Sequence, residues 1–340
     1  MSDPFGHELF RKRLELSLQY VQEMLLATVP PVREPECCHF IVTGVGSSEA
    51  QARFFVYCIN QFTSGTAEFW PLSSFVSLSQ SLQHIESTLV VISQGISPNT
   101  HIAISKGIYF KDRLLFTASR NKDIIKDLKE EKWSLFYFPM EDEYDILIRI
   151  VGPLCGYVAI IQYISNAFIN HTLPEFLTQQ ILNTIAEVNN EPIPFSKEDF
   201  IALRERGCVL IGTDSLPEYG YNLPYKFLEG LFVPHPSFID LLSLCHGTLQ
   251  ELFINPKHVF LFLQDDAWQI EIAERAKKII EPFGCPTISY IAKLPPPWSI
   301  LEYEMLLNNM VSQGLSILKI NQRNWPAFGL DKPLYEIHGI

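Results

Sequence analysis

Ser87 to Thr100 reads STLVVISQGISPNT, and the fold turns on how this stretch divides. Leu89 to Ile92 is a short apolar, β-branched run, the pattern of a strand buried on both faces of a parallel sheet. The second half, Ser93-Gln94-Gly95-Ile96-Ser97-Pro98-Asn99-Thr100, collects hydroxyls and a glycine in a loop. Ser97 suits an N-cap and Pro98 the first position of a helix running to about Tyr109. A helix N-terminus with free N–H groups and flanking hydroxyls forms an anion site without any basic residue. The stretch therefore predicts a phosphate pocket at the carboxyl end of a buried strand.

Outward from it, strands and helices alternate. His39–Thr43, Phe69–Leu72, Arg113–Thr117 and Leu135–Phe138 read as strands, and helices are expected over 49–62, 98–109 and 121–131. Such alternation predicts parallel βαβ units and a doubly wound α/β sandwich, which binds ligands beyond the carboxyl ends of its strands. Helical patterns follow over 144–169 and 174–188, and Asn189-Asn190-Glu191-Pro192-Ile193-Pro194 is a Pro-rich linker. Then the grammar repeats: a strand at Cys208–Ile211, the loop Gly212-Thr213-Asp214-Ser215, a helix near Leu223, strands at Val259–Leu263 and Thr287–Ile291, and helices over 267–282 and 299–318. The expected layout is an N-terminal helix and linker over 1–35, one α/β domain over 36–189 and a second over 190–340.

The chain has 340 residues and a formal net charge of -12, which argues against nucleic acid or an anionic membrane surface as the main partner. The opening MSDPFGHELFRKRLELS has no apolar signal-peptide core, and the apolar run Ile150 to Ile161 is too short to span a bilayer. The seven cysteines form no CxxC pair and most lie in apolar runs, which predicts buried, reduced thiols in the cytoplasm. From Gly6 to Ala27 the spacing is that of an amphipathic helix, with Arg11-Lys12-Arg13 expected on its solvated face.

Candidate chemistry sits in a few places. Thr43-Gly44-Val45-Gly46-Ser47-Ser48 is a GxG turn followed by serines; Glu49 stands where a dinucleotide fingerprint needs its third glycine. This loop is either a plain capped turn or a second phosphate contact. Glu229, in Tyr225-Lys226-Phe227-Leu228-Glu229-Gly230, is a carboxylate on an apolar helix: a base of raised pKa, or one half of an ion pair with Lys226. His246, in Cys245-His246-Gly247-Thr248, reads most simply as a core histidine. The histidines have no metal-ligand spacing, and no GxSxG elbow or Walker lysine loop is present.

Taken in order, GVGSS, SQGISPNT, Glu229 and His246-Gly247-Thr248-Leu249 resemble the double-SIS (sugar isomerase) family, to which the isomerase domain of glucosamine-6-phosphate synthase belongs. The likeness runs from about Val42 to His338. It implies two SIS-type, flavodoxin-like αβα sandwiches with parallel sheets. It also implies phosphate contacts from Ser47, Ser48, Ser93, Gln94, Ser97 and Thr100, in a loop one residue shorter than the family's SQSG form. Glu229 takes the place of the family's base. His246 takes that of a ring-opening histidine that reaches the neighbouring subunit of a homodimer. In the tail, Asp331 and Pro333 match the family, Leu334 replaces its arginine, and His338 stands where it carries a catalytic lysine. The implied activity is isomerisation or deamination of a sugar phosphate or aminosugar phosphate, with no metal or redox cofactor. The implied alternative is a phosphosugar-binding regulator without turnover.

Overall fold

The computed structural model describes residues 3–27, 38–78, 85–138, 140–168, 174–191, 193, 195–234, 237–250, 258–330 and 333. The chain forms two compact units. One comprises Gln19–Glu143, Val151–Thr178 and Trp325–Ile340; the other comprises Met1–Leu18, Tyr144–Ile150 and Gln179–Asn324. Each carries one parallel sheet.

The first sheet holds β1 (His39–Thr43), β2 (Thr66–Phe69), β3 (Ile85–Ile92), β4 (Phe110–Thr117) and β5 (Ser134–Tyr137), in the order β2-β1-β3-β4-β5 with every neighbour parallel. This is the flavodoxin-like winding, whose switch point lies between β1 and β3. The register there pairs Thr43 with Val91, so the two hydroxyl-rich loops leave adjacent strands at the same edge. Alternate residues serve opposite faces, as the pleat requires. Ile41, Leu89, Val91 and Leu115 pack with Ala103 of α3 (Thr100–Ser105) and Leu128 of α4 (Lys122–Glu130). Phe40 and Phe116 point the other way. They meet Phe55 of α2 (Ser47–Phe62) edge-on, and Phe116 meets Tyr163 of α5 (Val151–Ala167).

The second sheet holds β6 (Cys208–Gly212), β7 (Ser237–Asp240), β8 (Val259–Gln264) and β9 (Thr287–Ile291), in the order β7-β6-β8-β9 and again all parallel. Val209, Ile211, Phe260 and Phe262 pack under Ala273, Ala276 and Ile280 of α10 (Ala267–Ile280). In this unit α9 (Leu223–Leu231) packs against both β6 and the long α11 (Ser299–Leu318). The same winding, β2-β1-β3-β4 and β7-β6-β8-β9, thus occurs twice. No helix among the described residues is long and apolar enough to cross a membrane.

Several elements differ from the sequence reading. The strand expected at Phe69–Leu72 lies earlier, at β2, because Pro71 ends it and a 3-10 turn follows over Leu72–Phe75. The helix expected over 144–169 begins only at Val151, where Glu143 accepts hydrogen bonds from the Val151 and Gly152 N–H groups at 2.9 and 2.8 Å. Pro153 then sits in the first turn, where its missing N–H costs nothing. The short helix α7 (Lys197–Arg206) begins with a capping box between Ser196 and Asp199 that the sequence reading passed over, as it did edge strand β7. Arg13 is buried rather than on a solvated face. Three further α-helices are α1 (His7–Leu26), α6 (Glu175–Asn190) and α8 (Leu216–Tyr219).

Candidate functional site

The loop after β1 is shaped by two glycines. Gly46 has φ +63° and ψ -132°, a conformation that a side chain strains, and it occupies the N-cap of α2 without a capping side chain. Gly44 lets the turn close on the first turn of α2, because a Cβ there would run into the Ser48 carbonyl. Among the described residues nothing accepts from the Ser47 and Ser48 N–H groups, and neither serine hydroxyl has a partner. Ser48 is buried and Ser47 half-buried. The result is a 16-residue helix whose uncapped N-terminus carries two free hydroxyls, an arrangement that favours an anion. Just behind it, the Thr43 hydroxyl is buried without a partner among the described residues.

The loop after β3 is built differently from expectation. Ser97 does not cap a long helix. Residues 97–102 form successive tight turns, with Thr100 N bonded to Ser97 O at 2.9 Å, and α3 proper spans only Thr100–Ser105. The Ser97 hydroxyl is spent on Thr100, whose Oγ1 lies 2.9 Å from Ser97 Oγ and 3.0 Å from Ser93 Oγ. Thr100 is therefore the hub of a three-hydroxyl cluster. Ile96 holds the turn in the left-handed region at φ +54° while its side chain is buried in the core beside the sheet. Left-handed backbone at a β-branched residue costs about 1–2 kcal/mol, which burial of the side chain offsets.

Gln94 faces away from this cluster. Its Nε2 donates to Glu143 Oε2 at 3.3 Å, and its side chain packs on Gly152 of α5. One turn further along α5, Gly156 takes Gln51 of α2, whose Nε2 donates to the Gly152 and Pro153 carbonyls at 3.0 and 3.1 Å. Gln51 and Glu143 brace this edge, and neither was singled out from sequence. A carboxylate eight residues ahead of the helix start at Val151 was the available signal for Glu143.

In the second-sheet unit, Glu229 lies half-buried on α9. Burial pushes its carboxyl up to about 7, against the pull of the Arg149 and Lys226 charges. The ion pair with Lys226 does not form. Lys226 is fully buried, pairs instead with the Glu304 carboxylate at 2.7 Å, and donates to Asn308 Oδ1 at 2.8 Å and the Arg149 carbonyl at 3.2 Å. No hydrogen bond or ion pair engages the Glu229 carboxylate among the described residues. His246 is no core histidine: it is exposed, at the end of the 3-10 turn Ser243–Cys245. That turn is pinned by Asp240 Oδ1, which accepts from the Leu242 and Ser243 N–H groups at 2.9 and 3.0 Å.

No protein-family model matches the sequence, and no curated protein matches it. Solved structures match it by shape. The C-terminal domain of glucosamine-fructose-6-phosphate aminotransferase from Francisella tularensis aligns over 92% of this chain and 97% of its own, at 12% identity and a TM-score of 0.71. Glucosamine-6-phosphate deaminase from Thermotoga maritima aligns over 93% and 97%, at 11% identity and a TM-score of 0.66. Tagatose-6-phosphate ketose/aldose isomerase from Escherichia coli aligns over 95% and 91%, at 11% identity and a TM-score of 0.63. The chain has the double-SIS fold.

Within this fold, the first-sheet unit brings Ser47 and Ser48 to one strand end and Ser93, Ser97 and Thr100 to the neighbouring one. Gln94 is turned toward Glu143. His338, with Asp331 and Leu334, lies outside the described residues. Of the cysteines among the described residues, Cys58, Cys155, Cys208 and Cys285 are buried, Cys38 and Cys245 are exposed, and all six are free.

Proposed function

We propose that the chain binds a sugar phosphate and moves a proton between C1 and C2 of the open-chain sugar, as an aldose–ketose isomerase or an aminosugar-phosphate deaminase. The observation that carries this reading is Glu229, an unengaged carboxyl with a pKa of about 7. A general base works best when its pKa lies near the working pH, and burial without a fixed partner is how a carboxyl gets there. Glu229 takes the proton from one carbon and returns it to the next, so no redox group is consumed. Ser47, Ser48, Ser93, Ser97 and Thr100, with Gln94 swung from Glu143, grip the phosphate, and that remote binding energy holds the reacting carbons in place. His246 opens the sugar ring from the neighbouring subunit of a homodimer, which its exposure permits, and His338 attends the same substrate. The free thiols suit the cytoplasm. The solved proteins of like fold named above are all named for 6-phosphorylated sugars, which supports that substrate class.

The competing reading is a phosphosugar sensor without turnover. It is favoured by the self-satisfied β3 loop, in which Ser93, Ser97 and Thr100 bond one another and Gln94 bonds Glu143. A thermal-shift screen of hexose 6-phosphates and their amino forms, followed by NMR of each hit in D2O, separates the two. Turnover predicts deuterium at C2, and Glu229→Gln should still bind the hit while exchange slows at least 10²-fold. Binding with no exchange, no isomerised product and no ammonia leaves the sensor.

A further inference from the structure

No hydrogen bond or ion pair among the described residues engages the Glu229 carboxylate, so its place is set by the backbone that carries it. That backbone is the last turn of α9, and a helix ends with carbonyls that its own ladder leaves unpaired. The helix stops at Phe232, which takes the left-handed conformation at φ +55°. The Phe232 and Val233 N–H groups both donate to the Phe227 carbonyl, the latter at 3.1 Å. The Glu229 and Gly230 carbonyls are met by a side chain from far along the sequence: Gln322 Nε2 donates to them at 2.8 and 2.7 Å.

Gln322 is itself held fast. It is fully buried, its Oε1 accepts from the Ile148 N–H at 3.4 Å, and its own N–H donates to the Phe5 carbonyl at 2.9 Å. Two more contacts fix the turn in which it sits. His7 Nε2 lies 2.6 Å from the Ile320 carbonyl, and Arg323 Nε donates to the Asp3 carbonyl at 2.9 Å. With both amide hydrogens spent on α9, Gln322 acts on the helix rather than on a ligand. From another side α9 meets α11 closely: a Cβ at Gly230 would come 2.5 Å from Val311 Cγ1. The turn that carries Glu229 is therefore fixed by packing at Gly230 and by hydrogen bonds at Gln322.

We infer that Gln322 is a positioning residue for Glu229, holding the last turn of α9 so that an unpartnered carboxyl keeps one half-buried place. The inference rests on the reading of Glu229 as the base. The charges around that carboxyl are committed elsewhere. Lys226 of the same helix pairs with Glu304 of α11, and Arg149 donates to the Ile146 and Leu147 carbonyls. Glu302 of α11 holds the Lys293 and Leu294 N–H groups, β6 has no charged residue, and Asp240 of β7 holds the turn after it. Burial pushes the Glu229 carboxyl up to about 7 against the pull of Arg149 and Lys226, so its titration reads how well the turn excludes water.

Carbon-13 NMR of the full-length protein, labelled at glutamate carboxyls, follows that titration from about pH 5.5 to about pH 9 without any ligand. Glu229→Gln identifies the signal by removing it. Gln322→Met keeps the side chain's length and loses both donors, and the Glu229 midpoint is expected to fall by about one pH unit or more. Gln322→Asn, one methylene shorter, should shift it less in the same direction, and decides the matter if the methionine variant does not fold. His7→Leu weakens the same turn without touching α9; it should lower the melting temperature and keep the parent's midpoint. With glucosamine 6-phosphate as the probe, exchange at C2 should slow at least about tenfold in Gln322→Met, while the dissociation constant stays within about twofold. An unchanged midpoint in the Gln322 variants overturns the inference. So does an equal fall in His7→Leu, which would make Gln322 one bond among several in a structural latch. A parent that exchanges no sugar phosphate removes the isomerase reading instead, and the hold of Gln322 on Glu229 is still decided by the titration.

Discussion

Glu229 shows how little of a residue's chemistry is local. The hexapeptide Tyr225-Lys226-Phe227-Leu228-Glu229-Gly230 offers a lysine three positions away, close enough on a helix for an ion pair. The lysine is instead taken by Glu304 and Asn308, far along the chain, and Glu229 is left without an ion-pair partner among the described residues. Its pKa is raised in the folded state from 4.5 to about 7, so folding favours the protonated form. The stability this contributes is fully present below about pH 4.5 and is lost as pH rises through about 7. Glu229→Gln keeps the neutral shape at every pH. The variant is therefore expected to gain on the parent from pH 5 to pH 8, by up to about 3 kcal/mol, in parallel urea melts. A constant difference across that range would place the carboxyl at its ordinary pKa and remove it as a neutral-pH base. Gln94 and His246 make the same point: each residue type was legible, whereas the direction of the first and the exposure of the second depend on packing.

At the scale of elements, the boundaries that moved have local causes with distant partners. Helix α5 starts at Val151 because Glu143 satisfies its first N–H groups, and it docks on α2 because Gly156 leaves room for the Gln51 side chain. A methyl group at Gly156 would collide with the Gln51 amide, which also holds the Gly152 and Pro153 carbonyls. Gly156→Ala is expected to destabilise the protein by about 1–3 kcal/mol, despite alanine's better helix propensity. In a double-mutant cycle, Gln51→Ala should recover part of that loss, because the clash needs both side chains. Additive effects, measured by chemical denaturation, would mean that α2 and α5 do not meet through this pair. The strands needed no such partners to be found. Runs such as Phe40-Ile41-Val42 and Leu89-Val90-Val91-Ile92 are apolar at every position, which suits only a strand covered on both faces.

For the whole molecule, one winding used twice carries two loop chemistries: hydroxyls at the first switch point and the carboxylates Asp214, Asp265 and Asp266 at the second. With a net charge of -12, an anion reaches the first only through local N–H dipoles and hydroxyls. The proposed role of His246 needs a second copy of the chain, so sedimentation equilibrium is expected to give the mass of a homodimer. A monomer at assay concentrations would withdraw His246 from the reaction while leaving Glu229 in it. By itself the sequence determined the α/β class, the alternation of parallel strands and helices, the repeat, and the hydroxyl-rich loops at the strand ends. All of these follow from short-range patterns of apolar residues, glycines and caps. The tertiary structure alone decided that β1 and β3 are neighbours, that Lys226 is spent on Glu304, that Gln94 turns to Glu143, and that Gln322 bonds the carbonyls of Glu229 and Gly230. Those outcomes depend on which distant side chains burial brings within a few ångströms, and hydrogen bonds between distant residues have no signature in sequence spacing.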